Sequence, residues 1–317
     1  MEPTWTGRLR CRIFLPDQSE VTFERRGFTA PDAGRQANLE NVGRKFLEGF
    51  EYAMAGRSLD GIESSLETVE PAYRGFAYEG GAMALAVRDG LRPAGRHWVD
   101  DLLASQGAAH VYMVYVGVGW AMARLPRIRW HAIAPRDPLL RWLALDGWGF
   151  HQAYFRTGQY VTRQHQGRIP GWPAGYSNRA ADQGIGRALW FVNGADVPKL
   201  AAAIDKFAPA RRGDLWSGAG LASVYAGGAD AGELADMARL AGRHRSDVAQ
   251  GAAFAAKARL LAGLVTPGTE IGVKVFCDSS VEEAAAVTDQ TMTGLPDGDG
   301  EVPGYELWRE RIRKRFE

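Results

Sequence analysis

The stretch from Asp182 to Gly263 constrains the fold most, because it repeats itself. One unit reads D-Q-G-I-G-R-A-L-W-F-V-N-G-A-D from Asp182 to Asp196. The next reads W-S-G-A-G-L-A-S-V-Y-A-G-G-A-D from Trp216 to Asp230, and a third opens A-Q-G-A-A-F-A-A-K-A-R from Ala249 to Arg259. The shared core is a polar residue, Gly, any residue, a small one, a large one and Ala. Gly184, Gly218 and Gly251 mark it at spacings of 34 and 33 residues. The same core is found upstream at Gly49, Gly80, Gly117 and Gly147, with His151 in place of Ala in the unit of Gly147. A period in this range is the mark of stacked helical hairpins, each burying its apolar face against its neighbours.

The expected fold is therefore all-α: about seven helical hairpins in a curved α-solenoid of the tetratricopeptide-like kind, with a closed α/α toroid as the alternative. Residues 1–29 are expected to form an N-terminal arm or a small hairpin, since Leu9–Phe14 and Val21–Phe23 alternate like strands. Residues 30–290 form the repeat domain, and 291–317 a linker followed by a C-terminal basic helix. Leu39, Val42, Phe46, Phe50 and Ala53 keep helical spacing, and Asp137-Pro138 predicts a helix over 138–155. Asp196 and Asp230 are placed as N-caps of second helices, Asp230 with Glu233 three residues on as a capping box. Residues 158–178 are expected to be an insertion loop. The tail from Tyr305 to Phe316, basic and aromatic, either caps the array or docks on a partner or an anionic membrane surface.

A helix turns about 100° per residue, so the polar residue before each glycine and the large residue three after it share one stripe. By unit the stripe is Glu48/Tyr52, Glu79/Met83, Val116/Trp120, Asp146/Phe150, Gln183/Arg187, Ser217/Leu221 and Gln250/Phe254. In a curved array it faces either one cavity or the inter-repeat core. Arg187 stands where the other units carry Tyr, Met, Trp, Phe, Leu or Phe. A buried guanidinium must be paired, and Glu79, Asp146 and Asp182 are the partners expected. The candidate catalytic residues are His151, as a general base, Arg187, Glu79 and Asp146. The candidate substrate-binding residues are Trp120, Phe150, Tyr154, Gln183, Trp216 and Gln250.

Other classes are set aside by composition. A net charge of +1 argues against nucleic acid. Two cysteines make neither a disulfide framework nor a zinc site. The six histidines do not pair at metal-ligand spacing, and neither a metal nor a cofactor is expected. No P-loop, dinucleotide fingerprint, G-x-S-x-G or H-E-x-x-H is present. Without a signal peptide or a long apolar span, a cytoplasmic protein is expected, with a peripheral membrane position as the alternative.

Several long phrases carry a resemblance: R-G-F-A-Y-E-G-G-A-M-A-L-A (Arg74–Ala86), H-V-Y-M-V-Y-V-G-V-G-W-A-M-A-R-L-P (His110–Pro126), D-P-L-L-R-W-L-A-L-D-G-W-G-F-H-Q-A-Y-F (Asp137–Phe155), D-Q-G-I-G-R-A-L-W-F (Asp182–Phe191) and A-Q-G-A-A-F-A-A-K-A-R (Ala249–Arg259). From about Arg26 to Phe316 the chain resembles the UnbL-type family of actinomycete proteins, encoded beside the iterative polyketide synthases of enediyne antibiotics. The resemblance implies a place in that pathway, after the synthase has made a linear polyene. It supplies no catalytic residues. The partners it implies are an apolar polyketide-derived small molecule and other enediyne-cluster proteins, membrane-associated ones among them. Two functions compete: an enzyme or substrate holder for a polyene-derived intermediate, and a non-catalytic scaffold assembling pathway proteins. An enclosed apolar cavity carrying Arg187 and His151 favours the first, and a filled core with an open polar groove the second.

Overall fold

The structure is a computed structural model that describes residues 5–91, 97–296 and 302–317. Every secondary-structure element among them is helical: α1 (Trp5–Phe14), α2 (Phe23–Arg26), α3 (Ala33–Ala55), α4 (Leu59–Leu66), α5 (Pro71–Leu91), α6 (Trp98–Leu103), α7 (Val111–Arg124), α8 (Trp142–Phe155), α9 (Ala174–Val192), α10 (Val197–Asp205), α11 (Pro209–Ala226), α12 (Ala231–Ala241), α13 (Arg245–Leu261), α14 (Pro267–Cys277), α15 (Val281–Met292) and α16 (Gly304–Arg313), with short tighter or wider turns between some of them. The repeat core lies on seven inner helices, α3, α5, α7, α8, α9, α11 and α13, packed each against the next. Outer helices α4, α6, α10, α12 and α14 follow five of them. The units of α7 and α8 are followed instead by a 3₁₀ turn (Arg127–Ala132) and by the irregular stretch after Phe155. The predicted second-helix starts are observed: Asp196 accepts from the Lys199 amide, and Asp230 and Glu233 form a reciprocal capping box.

The glycines explain how close the inner helices lie. A Cβ on Gly117 would fall inside van der Waals contact of the Glu79 carbonyl oxygen, one on Gly184 onto that of Asp146, and one on Gly251 onto that of Ser217. Each of those carbonyls belongs to the residue just before the glycine of the preceding unit. A second contact recurs two residues later, Gly149 against the Ala181 carbonyl and Gly186 against that of Leu215. Main chain thus meets main chain, and any side chain at these positions would push the pair apart.

The contacts also correct the register of the first unit. Gly80 packs on the Phe46 carbonyl, and Gly49 makes the second type of contact, against Ala77. Leu47 therefore holds the first position, and the pair equivalent to Glu79/Met83 is Phe46/Phe50 rather than Glu48/Tyr52. Glu48 and Tyr52 hydrogen-bond to one another at 2.6 Å on the outer side, half-exposed.

Of the N-terminal residues expected as strands, Leu9–Phe14 lie in helix α1, which packs on α3, and Val21–Phe23 join a 3₁₀ turn (Gln18–Val21) to α2. The first unit offers a helical surface to cover and no strand edge to pair with. The helix predicted over 138–155 starts at Trp142. Asp137 caps a turn instead, accepting from the Leu139 and Leu140 amides at 2.8 and 2.7 Å.

The array winds tightly. The first inner helix reaches the sixth, where Asn38 donates to the Ala226 carbonyl at 3.0 Å, and Arg35 pairs with Glu233 at 2.6 Å. The seventh reaches the second, where Arg259 donates to the Ala72 carbonyl at 2.9 Å. The solenoid curls until its ends touch across its own axis, and side chains line that axis. The C-terminal basic helix is α16. Its Tyr305, Glu306, Trp308, Arg309 and Ile312 are buried against α9, α11, α13 and α15. The tail is core, and of its cations Arg309 and Arg313 are committed internally. The expected linker falls partly on residues 297–301, outside the described residues. Among the described residues no helix is long and apolar enough to cross a membrane.

Candidate functional site

Because successive inner helices meet at their glycines, the residues flanking each glycine turn toward the axis. Phe46, Glu79, Met83, Trp120, Phe150 and Arg187 line one cavity there, joined by His151, Tyr154, Phe155 and Phe191. It holds about 690 Å³ of unfilled space, open solvent at the mouth included. Little of that space is wide enough to let a water molecule move about, so the cavity is a narrow slot. The walls are aromatic: Phe46 and Trp120 rings lie 4.5 Å apart, Trp120 and Phe150 5.2 Å, and Phe150 and Phe191 5.4 Å. A second axial cavity, of about 600 Å³, lies beyond, bounded by Asp146, Tyr225, Phe254 and Trp308. The two share Phe76, Arg187 and Phe191.

Arg187 is the partition between them. Its Nη1 donates a short hydrogen bond to Asp146, its Nη2 stands 3.7 Å from Glu79, and its guanidinium lies 5.2 Å from the centre of the Phe150 ring. All three charged groups are buried. One cation faces two carboxyls, so full ionisation would leave a net negative charge in a low-dielectric site. Burial pushes both carboxyls up, against the pull of Arg187, and Glu79 reaches about 7. The Trp120 indole N–H lies beside Glu79 and favours its anion without making a hydrogen bond of full geometry. Glu79 can therefore hold or release a proton at neutral pH while facing the slot, as a general acid or base must. Arg187 stays cationic, and its Nη2 has hydrogen-bonding capacity left for an oxygen atom in the slot.

His151 faces the same slot, edge-on to Trp120 at 5.5 Å. Burial drives its pKa down to about 3, and the positive charges of Arg124 and Arg156 add to that. The imidazole is neutral at any ordinary pH, and its buried Nδ1 has no hydrogen-bond partner among the described residues. It is equipped to exchange a hydrogen bond with a ligand, and a base that weak carries little charge-transfer chemistry.

Of the residues singled out in the sequence, the structure brings together Glu79, Trp120, Asp146, Phe150, His151, Tyr154 and Arg187. Three others are placed elsewhere. Gln183 and Gln250 were expected on a ligand-facing stripe, but α16 occupies the axis at that end and takes up their hydrogen bonds. Tyr305 Oη donates to Gln183 at 3.2 Å and Arg309 Nε to Gln250 at 3.0 Å. Trp216 is fully buried in the core and lines neither axial cavity. Asp182, an expected partner of Arg187, instead takes Arg211 through both oxygens, at 2.9 and 2.6 Å, and Gln166 at 3.2 Å.

Phe46, Phe155 and Phe191 were missed. Phe46 was hidden by the register of unit one. Phe155 and Phe191 each lie four residues after a candidate, His151 and Arg187, so helical spacing could have found them. No group of His, Cys, Asp and Glu among the described residues could hold a metal ion.

A family model, that of a protein of unknown function (DUF1702), matches residues 5–316. No curated protein and no solved structure matches the chain.

Proposed function

The chain belongs to the DUF1702 family, and on that premise we propose that it binds an elongated, flat, apolar molecule along its axis and acts on the oxygen-bearing end that reaches Arg187 and Glu79. The observation that carries this reading is the meeting, in one narrow aromatic slot, of a cation with hydrogen-bonding capacity to spare and a carboxyl poised near neutrality. A conjugated polyene is the kind of molecule that suits such a slot, being flat, stiff and rich in π-faces. The resemblance to the UnbL-type proteins points the same way. The protein is then an accessory enzyme or substrate holder of enediyne antibiotic biosynthesis, taking a polyene-derived intermediate after the polyketide synthase.

In this role Arg187 binds and polarises an oxygen of the ligand, and Glu79 gives or takes the proton that the change in charge requires. Asp146 positions Arg187 by its short hydrogen bond. The scaffold alternative needs an outward concave surface, whereas the inner face of this array is turned onto its own axis.

The test is incubation of the purified protein with a linear conjugated polyene and an extract of an enediyne producer, followed by mass spectrometry. The native protein is expected to yield a product that the Glu79→Gln protein does not, while both retain the polyene through gel filtration. Equal product from both would remove Glu79 from the chemistry. Failure of the native protein to retain the polyene would remove the slot from the function.

A further inference from the structure

We infer that the ligand carries an anionic group at its near end, held outside the slot by a ring of arginines. The inference rests on the slot being the binding site proposed above. The slot is closed at its inner end by Arg187 and its two carboxyls, so a ligand enters by the outer mouth and whatever it leaves outside meets the residues there. Tyr154 and Phe155 belong both to the slot and to an open hollow at that mouth, whose other walls include Arg25, Arg26, Arg156 and Arg163. Arg124 stands at the slot itself.

Against these five arginines, the carboxylate that lines the mouth among the described residues is Glu20, which is taken by Arg25 at 3.3 Å and Arg26 at 2.6 Å. Arg124, Arg156 and Arg163 are exposed and make no ion pair or side-chain hydrogen bond among the described residues. Arg124 and Arg156 also flank the ring of His151 closely enough to repel a proton from it. Arginine in such a cluster suits a carboxylate or a phosphate, whose oxygens accept its paired N–H groups. The chain so described is apolar along its length, oxygen-bearing at the buried end and anionic at the exposed one. Two chemistries supply that anion: the carboxylate of a free acid, and the phosphate of a carrier arm to which the chain is tethered.

Both are tested with one fluorescent chromophore, parinaric acid, as the free acid, as its neutral methyl ester and as its phosphopantetheine thioester. Each is titrated into the native protein and into the Arg124→Gln/Arg156→Gln protein, at low and high salt. The acid or the thioester is expected to bind more tightly than the ester, and to lose about tenfold in affinity in the double variant or at high salt. The ester is expected to change in neither. Tighter binding of the thioester assigns the phosphate, and tighter binding of the acid the carboxylate. Equal binding of all three, insensitive to the double substitution, overturns the arginine mouth and leaves the slot standing. Binding of none of them takes down both.

Discussion

Two buried arginines, Arg187 and Arg309, sit on the same axis and do opposite things. Arg309 lies in α16 among groups that hold it through Nε and Nη1. It donates to Asp214 at 2.7 Å, Glu306 at 2.8 Å, Gln250 at 3.0 Å and Tyr176 Oη at 3.1 Å. Arg179 and Arg313 join the same carboxylates, and Arg313 also reaches Asp247 at 3.6 Å, so three cations meet three anions. Arg187 has two carboxyls to itself, one of them beyond hydrogen-bond distance, and empty space on both sides.

The two glutamates report the difference. Burial alone would raise both, yet Arg309, Arg179 and Arg313 outweigh it at Glu306 and pull it down to about 2, while Glu79 rises to about 7. A charge-balanced ion cluster fixes a helix in place. An under-supplied one beside a cavity is left able to exchange protons and partners.

The largest expected effect is on the balanced side. Arg309→Leu removes the fully buried cation that Glu306 and Asp214 share and should cost about 3–5 kcal/mol in urea unfolding. A loss below about 1 kcal/mol would mean that α16 is held by its apolar face alone, and the contrast with Arg187 would collapse.

Next is the pH response of Glu79. Its carboxyl is held near 7 in the folded chain against 4.5 as its ordinary value, so the native state binds the extra proton between those limits. Stability contributed there is present below about pH 4.5 and is lost as pH rises toward 7. Glu79→Gln lacks that loss. Its stability relative to the native protein should therefore improve from pH 5 to pH 8, by up to about 3 kcal/mol. Parallel melting curves across that range would show that Glu79 is already ionised and that the cluster is balanced after all.

The smallest is Arg187→Leu at pH 5, where the two abandoned carboxyls can take up protons. The expected cost is about 1–2 kcal/mol, well below that of Arg309→Leu, together with loss of polyene binding. A cost equal to that of Arg309→Leu would make Arg187 a structural residue like its counterpart.

The fold was largely legible in the sequence because its spacing rule is written in glycine, and glycine is where the helices touch. Units two to seven are in register as read. Unit one differs because Leu47 fills the position where the others have glycine, which leaves Gly49 looking like the first of the pair. The pairing of Arg187 with Glu79 and Asp146 was legible as a charge breaking an apolar series. The network of Arg309 was not. Nothing local distinguishes a basic tail that stays outside from one drawn into the core, although Tyr305, Trp308 and Ile312 do fall on one helical face. The arginines at the mouth come from α2, α7 and the loop after α8, and only the winding of the array brings them together.

The glycine contacts have a consequence for how such a chain can change. Because the distance between neighbouring helices is set by main chain resting on main chain, no side chain that points at the axis helps to set it. The position three residues after each first glycine already holds Met83, Trp120, Phe150, Arg187, Leu221 and Phe254 within one unbroken frame. Replacing any of these alters the lining without moving the walls. The molecule is in that sense a chassis with exchangeable fittings, in which a new cargo calls for point changes at a few addresses and leaves the architecture untouched.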